Sequence, residues 1–261
     1  MKIATWNINS IRLRIDEVIK FITTNRIDIL CLQETKTIDE KFPLEVFKKN
    51  GYKYAYIRGE KSYNGVAILS KLPIKEKSFQ KWCGLEDTRH ICIKLENNLI
   101  LHNFYIPAGG DIPDIDTNSK FKYKIDFIKE VINFFKKDKS NLKMMLGDLN
   151  IAPGKNDVWS HKQLINVVSH TKIETKYFTD LLLKGSLHDI IRLKKGEDEK
   201  IYSWWSYRNQ NWKKSNRGRR LDHILISSDL ISLVKNVDIH KYMRDIQKPS
   251  DHVPISVTID M

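Results

Sequence analysis

Four oxygen-bearing side chains follow apolar runs of strand length in the sequence. They are Asn7, Glu34, Asp148 and Asn150, each placed directly after an apolar run or within four residues of its end. If the runs are strands of an α/β sheet, their ends lie along one edge, where such sheets bind ligands. Amide and carboxylate oxygens are the ligands that Mg²⁺ prefers, and it keeps several waters for substrate phosphate. Each residue alone is more often a cap or turn residue. Their repeated position predicts a shared magnesium site.

A histidine beside a carboxylate stands just before the last apolar run. Asp251 and His252 precede Ile255–Ile259. Near a metal ion, a histidine in this position is suited to hold a proton close to a phosphate. Asp222 begins another apolar run, from which it could fix the tautomer of His252 by hydrogen bonding. His223 is an equal candidate for the active histidine on these grounds.

Aromatic residues stand next to a glycine loop and next to a dense basic run. Tyr105 precedes the Gly109–Gly110 turn, and alone it is best explained as a core tyrosine with a satisfied hydroxyl. Tyr202–Arg208 precedes the basic run Lys213–Arg220. Such a pairing suits stacking on an unpaired base while phosphates are held alongside. The alternative is a buried aromatic strand beside a solvated loop, and alternation along a strand allows both.

Composition favours a globular protein with a polyanionic partner. The 261 residues include 45 Lys+Arg and 32 Asp+Glu, a net charge of +13, and 41% are hydrophobic. Nucleic acid is the partner that this charge favours, although scattered lysines also serve solubility. The sequence has no apolar run near the roughly 20 residues that span a bilayer. It also lacks the N-terminal apolar stretch of a secretory signal. We therefore expect a cytoplasmic protein with no membrane partner.

Strand-length apolar runs alternate with helical patterns along the whole chain, without repeats or linkers. The predicted strands are Lys2–Trp6, Asp28–Leu32, Tyr52–Ile57, Gly65–Leu69, Ile91–Leu95, Leu99–Tyr105, Leu142–Leu146, Leu221–Ile226 and Ile255–Ile259. The predicted helices are Ile11–Thr24, Phe121–Lys137 and Glu174–Leu183. Residues 96–98 predict a hairpin, and Pro107–Ser119 is predicted to be a surface loop. We expect one α/β domain over residues 1–261. The three cysteines show no CxxC spacing, so neither a disulfide framework nor structural zinc is expected.

Taken together, these motifs resemble the exonuclease III family of abasic-site endonucleases, within the endonuclease/exonuclease/phosphatase superfamily, and most closely its bacterial branch. The matching stretches occur in the family's order: Trp6–Arg12, Leu32–Lys36, Asn64–Ser70, Gly147–Pro153, Tyr202–Trp205, Arg220–Asp222 and Ser250–His252. The resemblance implies a four-layer α/β sandwich, in which two mixed β-sheets pack face to face and are flanked by helices. It also implies Mg²⁺-dependent cleavage of duplex DNA 5′ to abasic sites, with 3′→5′ exonuclease and 3′-end-trimming activity. Mn²⁺ is a possible substitute for Mg²⁺.

The resemblance assigns roles to the residues singled out above. Glu34, helped by Asn7 and Asp251, is similar to the family's magnesium site. The wider set of candidate metal ligands is Asn7, Glu34, Asp148, Asn150, Asp251 and His252. The candidate catalytic residues are Tyr105, Asp148, Asn150, Asp222 and His252.

Each candidate catalytic residue has a distinct implied role. Asp148 matches the general base that directs the attacking water, and Asn150 matches the residue that positions water and phosphate. Tyr105 matches the active-site tyrosine. His252, paired with Asp222, matches the histidine at the scissile phosphate. Spacing alone does not decide between Asp148 and Tyr105 as the proton acceptor.

The resemblance also indicates DNA-binding residues and two departures from the family pattern. Arg89 resembles a DNA-contacting arginine, and Trp204 with Leu221 matches the pocket for a flipped abasic sugar. Arg219 stands where some relatives carry an aromatic residue that closes this pocket, and Ala108 replaces a frequent asparagine. Lesion selectivity is therefore open.

Two other functions remain as alternatives. One is a phosphatase or lipase of the same fold that acts on a non-DNA phosphoester. The other is a DNA-binding module whose nuclease site is inert. We expect a monomer that acts on double-stranded DNA with abasic sites or blocked 3′ ends. The balance between endonuclease and exonuclease activity stays open.

Overall fold

Twelve of the fourteen described strands form two sheets at the centre of the molecule, and the other two pair with each other, in a computed structural model that describes residues 1–209 and 211–261. The strands are β1 (Lys2–Asn7), β2 (Ile29–Gln33), β3 (Tyr54–Arg58), β4 (Val66–Ser70), β5 (Ile74–Ser78), β6 (His90–Leu95), β7 (Ile100–Tyr105), β8 (Lys143–Asp148), β9 (Leu187–Asp189), β10 (Trp204–Trp205), β11 (Gly218–Arg219), β12 (Asp222–Ser227), β13 (Val234–Ile239) and β14 (Ile255–Ile259). One six-stranded sheet has the order β13-β14-β1-β2-β4-β3, and the other has the order β5-β6-β7-β8-β12-β9. Both are mixed, since β1–β2 and β7–β8 are parallel pairs among antiparallel ones.

Helices cover the outer faces of both sheets. The α-helices of the described residues are α1 (Ile11–Thr24), α2 (Leu44–Lys49), α3 (Ser119–Lys137), α4 (His161–Leu164), α5 (Lys172–Gly185), α6 (Ile190–Lys195), α7 (Trp212–Ser215) and α8 (Ser228–Ile231), of which α1, α2, α3 and α5 pack on the outer faces. The start of α5 is fixed by a capping box, in which Thr171 and Glu174 each bond the other's backbone N–H. Among the described residues, no helix combines the length and the apolarity needed to cross a bilayer.

The side-chain alternation of the strands creates the layers. Ile3 and Ile29 belong to the core between the two sheets, whereas their neighbours Ala4 and Leu30 pack beneath α1 with Phe21. The other sheet packs its outer face against α3 and α5. The order is therefore helix, sheet, sheet, helix, and the predicted four-layer sandwich is confirmed.

A buried polar link joins the two sheets close to the edge where the site lies. The Gln33 amide donates to Asn103 Oδ1 at 2.6 Å and to Thr5 Oγ1 at 2.8 Å. The Asn103 amide donates in turn to the Leu32 and Ala67 carbonyls at 3.0 Å. These bonds satisfy polar groups that burial would otherwise leave unpaired, and they fix the alignment of one sheet on the other.

Most predicted elements are present, including the hairpin at residues 96–98. The predicted loop at Pro107–Ser119 is a loop up to the first residue of α3. The sequence patterns missed the edge strand β5, the short strands β9, β10 and β11, and β13.

Candidate active site

The two parallel strand pairs bring their carboxyl ends to one edge of the sandwich. Asn7 ends β1, Tyr105 ends β7 and Asp148 ends β8. Since β12 runs antiparallel to β8, its first residue, Asp222, is paired with Asp148. One cavity of about 560 Å³ opens at this edge. The sequence-predicted residues that line it are Glu34, Tyr105, Asp148, Asn150, Trp204, Arg219, Leu221, Asp251 and His252.

The amide of Asn7 connects two carboxylates that are far apart in the sequence. Its nitrogen donates to Glu34 Oε1 at 2.8 Å and to Asp148 Oδ2 at 2.9 Å. Asn150 holds the Asp148 carboxylate from the other side, with its backbone N–H 3.0 Å from Oδ1 and its amide 3.1 Å from Oδ2. The carboxylate of Asp148 is therefore fixed in position by three donors.

Backbone conformations that side chains rarely adopt occur at this edge. Glu34 has a φ of 50° and Asn150 a φ of 52°, both in the left-handed region. Gly147 has a φ of 135°, and a Cβ there would lie 2.0 Å from the Phe104 carbonyl oxygen. Such conformations cost free energy, and they persist where surrounding contacts over-determine them. Here they turn the chain so that functional groups face the cavity.

His252 forms a hydrogen-bonded pair with Asp222. Its Nδ1 lies 2.8 Å from Asp222 Oδ2, and its Nε2 lies 3.6 Å from Asp148 Oδ2. The hydroxyl of Ser203 donates to the same Asp222 oxygen at 2.6 Å and accepts the backbone N–H of Asp222. An ionised carboxylate only accepts, so Nδ1 carries a proton and Nε2 points toward Asp148.

The carboxylates decide the charge of His252. Burial opposes the protonated imidazole, but the Asp222 and Asp148 carboxylates outweigh it and raise the pKa of His252 to about 10. Burial raises the pKa of Asp148, an effect that the His252 charge opposes. The imidazole is therefore charged at neutral pH and can donate from Nε2 toward the cavity.

Tyr105 keeps its phenolic proton. Burial raises its pKa well above the ordinary value, and the charges of Glu34 and Asp148 raise it further. The Arg89 guanidinium lies 4.7 Å above the Tyr105 ring and is paired with Asp87 at 2.7 Å. Only 7% of Arg89 is exposed. The structure thus places Arg89 against the site tyrosine, with little surface open to a DNA phosphate.

The oxygen donors of the cavity fit a hard divalent cation. Burial works against ionisation of Glu34, but Lys36 and Asn7 outweigh it and lower its pKa. Burial likewise opposes ionisation of Asp251, whose pKa is lowered by the His252 charge and by bonds from Asn9 and Trp204. Carboxylates that remain ionised at neutral pH are the donors that Mg²⁺ takes.

The other predicted ligands present N–H groups in this structure. Asn7 and Asn150 aim their amide nitrogens at Asp148. His252 is protonated at Nδ1 and directs Nε2 at the same carboxylate. The two amides and the imidazole therefore present N–H groups, and not ligand atoms, toward these carboxylates. Among the described residues, the acidic and imidazole groups whose candidate ligand atoms all lie within 4.8 Å of one another are Asp148, Asp222 and His252.

The aromatic wall of the cavity combines three of the four predicted DNA-binding residues, Trp204, Arg219 and Leu221. Trp204 is half-buried and donates its indole N–H to Asp251 Oδ2 at 3.0 Å, while Leu221 is 4% exposed. The Arg219 guanidinium lies 5.4 Å from the Trp204 ring centroid and donates to Val168 O and Ser169 Oγ. Arg219 thus supplies a flat cationic surface on this wall.

A buried ion pair behind the cavity was missed at the sequence level. The Lys124 ammonium lies 2.5 Å from Glu174 Oε1, and both side chains are fully buried. Lys124 also donates to the Asn150 carbonyl at 2.7 Å and to the Ala108 carbonyl at 3.2 Å. Glu174 accepts the backbone N–H of Ser169. The pair therefore connects three loops that line the cavity.

His223, the competing histidine, lies away from these groups. It is fully buried in β12, where its Nδ1 is 3.0 Å from Arg220 and its Nε2 is 2.7 Å from the Ile151 carbonyl. The structure thus places His252, and not His223, at the cavity.

Comparison with known proteins agrees with this arrangement. The model of the endonuclease/exonuclease/phosphatase family matches residues 4–252. Exodeoxyribonuclease III of Haemophilus influenzae is 31% identical over 98% of both chains, and an exodeoxyribonuclease of Bacillus subtilis is 26% identical over the full length of both. An AP endonuclease structure from Archaeoglobus fulgidus superposes with a TM-score of 0.92 at 31% identity, covering 100% of both chains. The Neisseria 3′ phosphatase NExo, bound to a product DNA hairpin, also gives 0.92, at 29% identity with the same coverage.

Proposed function

The chain belongs to the endonuclease/exonuclease/phosphatase family, and we propose that it is a magnesium-dependent DNA repair phosphodiesterase. Its substrates are duplex DNA, cut 5′ to abasic sites, and blocked or recessed 3′ ends. The observation that carries this proposal is the single cavity in which Asp148, Glu34 and the His252–Asp222 pair meet the Trp204–Arg219 wall. Hydrolytic groups and a nucleic-acid surface therefore share one space.

In the proposed mechanism Asp148 acts on the attacking water and His252 acts on the phosphate. Glu34 and Asp251 would hold Mg²⁺, which would supply positive charge to neutralise the phosphate and to stabilise the leaving 3′-oxygen. Asp148, oriented by Asn7 and Asn150, directs the attacking water and accepts its proton. His252 donates from Nε2 to a phosphate oxygen, and Asp222 keeps the imidazole charged and correctly oriented.

Tyr105 acts in this proposal as a donor and not as the base. Its pKa is raised far above neutrality by burial, so a phenolate would be scarce at physiological pH. The phenol lines the cavity and can hydrogen-bond to the phosphate. This supports Asp148 as the proton acceptor.

The DNA substrate is supported by charge and by the relatives. The chain carries a net charge of +13, which favours a polyanion. The Haemophilus relative is an exodeoxyribonuclease, and the Archaeoglobus structure is an AP endonuclease. An abasic nucleotide has lost base pairing and much stacking, so its extrusion toward Trp204 and Leu221 costs less than flipping an intact nucleotide.

Oligomeric state and location follow from the same proposal. One chain supplies each group that the proposed mechanism uses, so the reaction needs no residue from a second copy, and we propose that the single domain 1–261 acts as a monomer. Exodeoxyribonucleases are named among its bacterial relatives. We place its action in the cytoplasm, where a bacterial chromosome supplies the substrate.

A labelled duplex with one abasic-site analogue tests the function. We expect a single cut 5′ to the analogue with Mg²⁺, none with a chelator, and trimming of recessed 3′ ends on an undamaged duplex. Tight, salt-sensitive binding that is never followed by cleavage would favour an inert DNA-binding module. Release of phosphate from inositol phosphates without DNA cleavage would favour the non-DNA phosphatase. Either outcome would overturn the proposal.

A further inference from the structure

A second cavity of about 520 Å³ adjoins the active-site cavity. The two cavities share Trp204, Ser206, Arg208 and Arg219 as lining residues. The remaining described lining residues of the second cavity are Trp159, Asn209, Ser215 and Arg217. We call this space the Trp159 cavity. The shared residues form a wall that the two spaces have in common.

Two arginine–tryptophan stacks define the chemistry of the Trp159 cavity. The Arg217 guanidinium lies 4.8 Å from the Trp159 ring centroid, and the Arg219 guanidinium lies 5.4 Å from that of Trp204. Indole rings and guanidinium planes are the surfaces on which nucleobases stack. Both tryptophans are half-buried, so neither ring is wholly enclosed by the core.

The polarity of the Trp159 cavity differs sharply from that of the active-site cavity. Among the described residues, none of those that line the Trp159 cavity is acidic, whereas Glu34, Asp148 and Asp251 line the neighbouring space. Ser206, Ser215 and Asn209 offer hydrogen-bonding groups at the edge of a base. A flat polar ring attached to a phosphate is the ligand that this combination recognises.

We propose that the Trp159 cavity binds the nucleobase of the 3′-terminal nucleotide whose 5′ phosphate occupies the active-site cavity. This inference rests on the proposed function and deepens it. The sugar of that nucleotide lies at Trp204 and Leu221, and its base continues past Arg219 into the adjoining space. An abasic nucleotide leaves the Trp159 cavity empty. The cavity therefore favours exonucleolytic removal of nucleotides that still carry a base.

The test compares two recessed duplexes that differ only in the terminal nucleotide. One ends in an ordinary 3′ deoxyadenosine and the other in a 3′-terminal abasic analogue, so the cleaved bond is the same. Arg217→Ala removes one stacked guanidinium from an exposed side chain, and Trp159→Leu removes the ring beneath it. Lys235→Ala, an exposed cation on β13, controls for the loss of one positive charge.

We expect kcat/KM for the adenosine end to fall about tenfold in Arg217→Ala and in Trp159→Leu, as loss of base stacking predicts. The abasic end should change less than about twofold, and Lys235→Ala should change neither substrate. An equal fall on both ends, or no fall on the adenosine end, would overturn the proposal. An equal fall would mean that these residues hold only the DNA backbone.

A binding measurement separates this inference from the proposed function. Deoxyadenosine monophosphate and deoxyribose 5-phosphate are titrated into each protein with tryptophan fluorescence as the readout. We expect the base-bearing ligand alone to quench the wild type, with weaker binding to Arg217→Ala. If no duplex is cleaved, the proposed function fails and this titration still decides on the cavity. Equal binding of both ligands would contradict the cavity assignment.

Discussion

His252 Nδ1 lies 2.8 Å from Asp222 Oδ2 and thereby presents Nε2 to the cavity. The two residues are brought together because β12 begins at Asp222, beside the chain that leads into β14. Ser203 holds the same carboxylate oxygen at 2.6 Å. The orientation and the charge of the imidazole therefore depend on one buried carboxylate.

Replacing that carboxylate should slow the reaction without abolishing DNA binding. In Asp222→Asn, the amide no longer stabilises the charged imidazole and can donate to Nδ1, which would reverse the tautomer. We expect kcat on the abasic duplex to fall about 100-fold or more, with KM changed little. Asp229→Asn, an exposed carboxylate on α8, serves as the control. A kcat within about threefold of the wild type would contradict the role of Asp222.

Breaking the buried Lys124–Glu174 pair should destabilise the protein. Lys124→Met leaves the Glu174 carboxylate fully buried without its cation, and we expect the free energy of unfolding to fall by about 3–5 kcal/mol. Adding Glu174→Gln removes the uncompensated charge and should recover about half of that loss. Urea unfolding of the two variants measures the difference. If the double variant is less stable than Lys124→Met alone, the unpaired Glu174 charge is not what destabilises Lys124→Met.

Two stacked buried histidines predict acid sensitivity. His90 Nδ1 accepts from the Gln80 backbone, and His90 Nε2 lies 3.1 Å from His102 Nδ1. Burial lowers the pKa of both imidazoles, that of His102 to about 4. The charge of Arg58 also lowers the pKa of His90. The pKa of His102 is raised by the Asp138 carboxylate and lowered by the Lys143 charge.

The sign of the pH effect follows from these lowered pKa values. Below an ordinary pKa of about 6.5 the unfolded chain takes up protons that the folded chain refuses, so stability is lost as the pH falls from there toward 4. Each imidazole contributes a slope of about 1.4 kcal/mol per pH unit. We expect the free energy of unfolding of His102→Gln, measured with urea at a series of pH values, to depend on pH with a slope smaller by about that amount. If the free energy of unfolding depends on pH with the same slope in the variant and the wild type, His102 does not contribute to the acid sensitivity.

Most strands can be predicted from the sequence because they are strongly apolar. β2 and β4 are buried at every position, and the sequence patterns located both. β5 was missed because its exposed residues Lys75, Glu76 and Lys77 carry no apolar signal at an edge position. β10 and β11 have two residues each, which is too short for a periodic pattern.

The strand-end residues of the site were predictable, and the residues behind them were not. Asn7 and Asp148 each follow an apolar run, and they end parallel-paired strands of two different sheets whose carboxyl ends lie at one edge of the sandwich. Lys124 lies on α3, distant in sequence from those ends, and its role depends on tertiary packing. The available signal was a lysine on the apolar face of that helix, three residues after Phe121 and four before Ile128.

Asp148 directs the attacking water and accepts its proton in the proposed mechanism, and one substitution tests this role most directly. Asp148→Asn keeps the shape of the side chain but cannot accept the proton of water. Single-turnover cleavage of the abasic duplex with Mg²⁺ should fall by about 10²–10⁴ relative to the wild type, while the Kd for the duplex stays within about threefold. Cleavage by Asp148→Asn near the wild-type rate would show that Asp148 is not the proton acceptor.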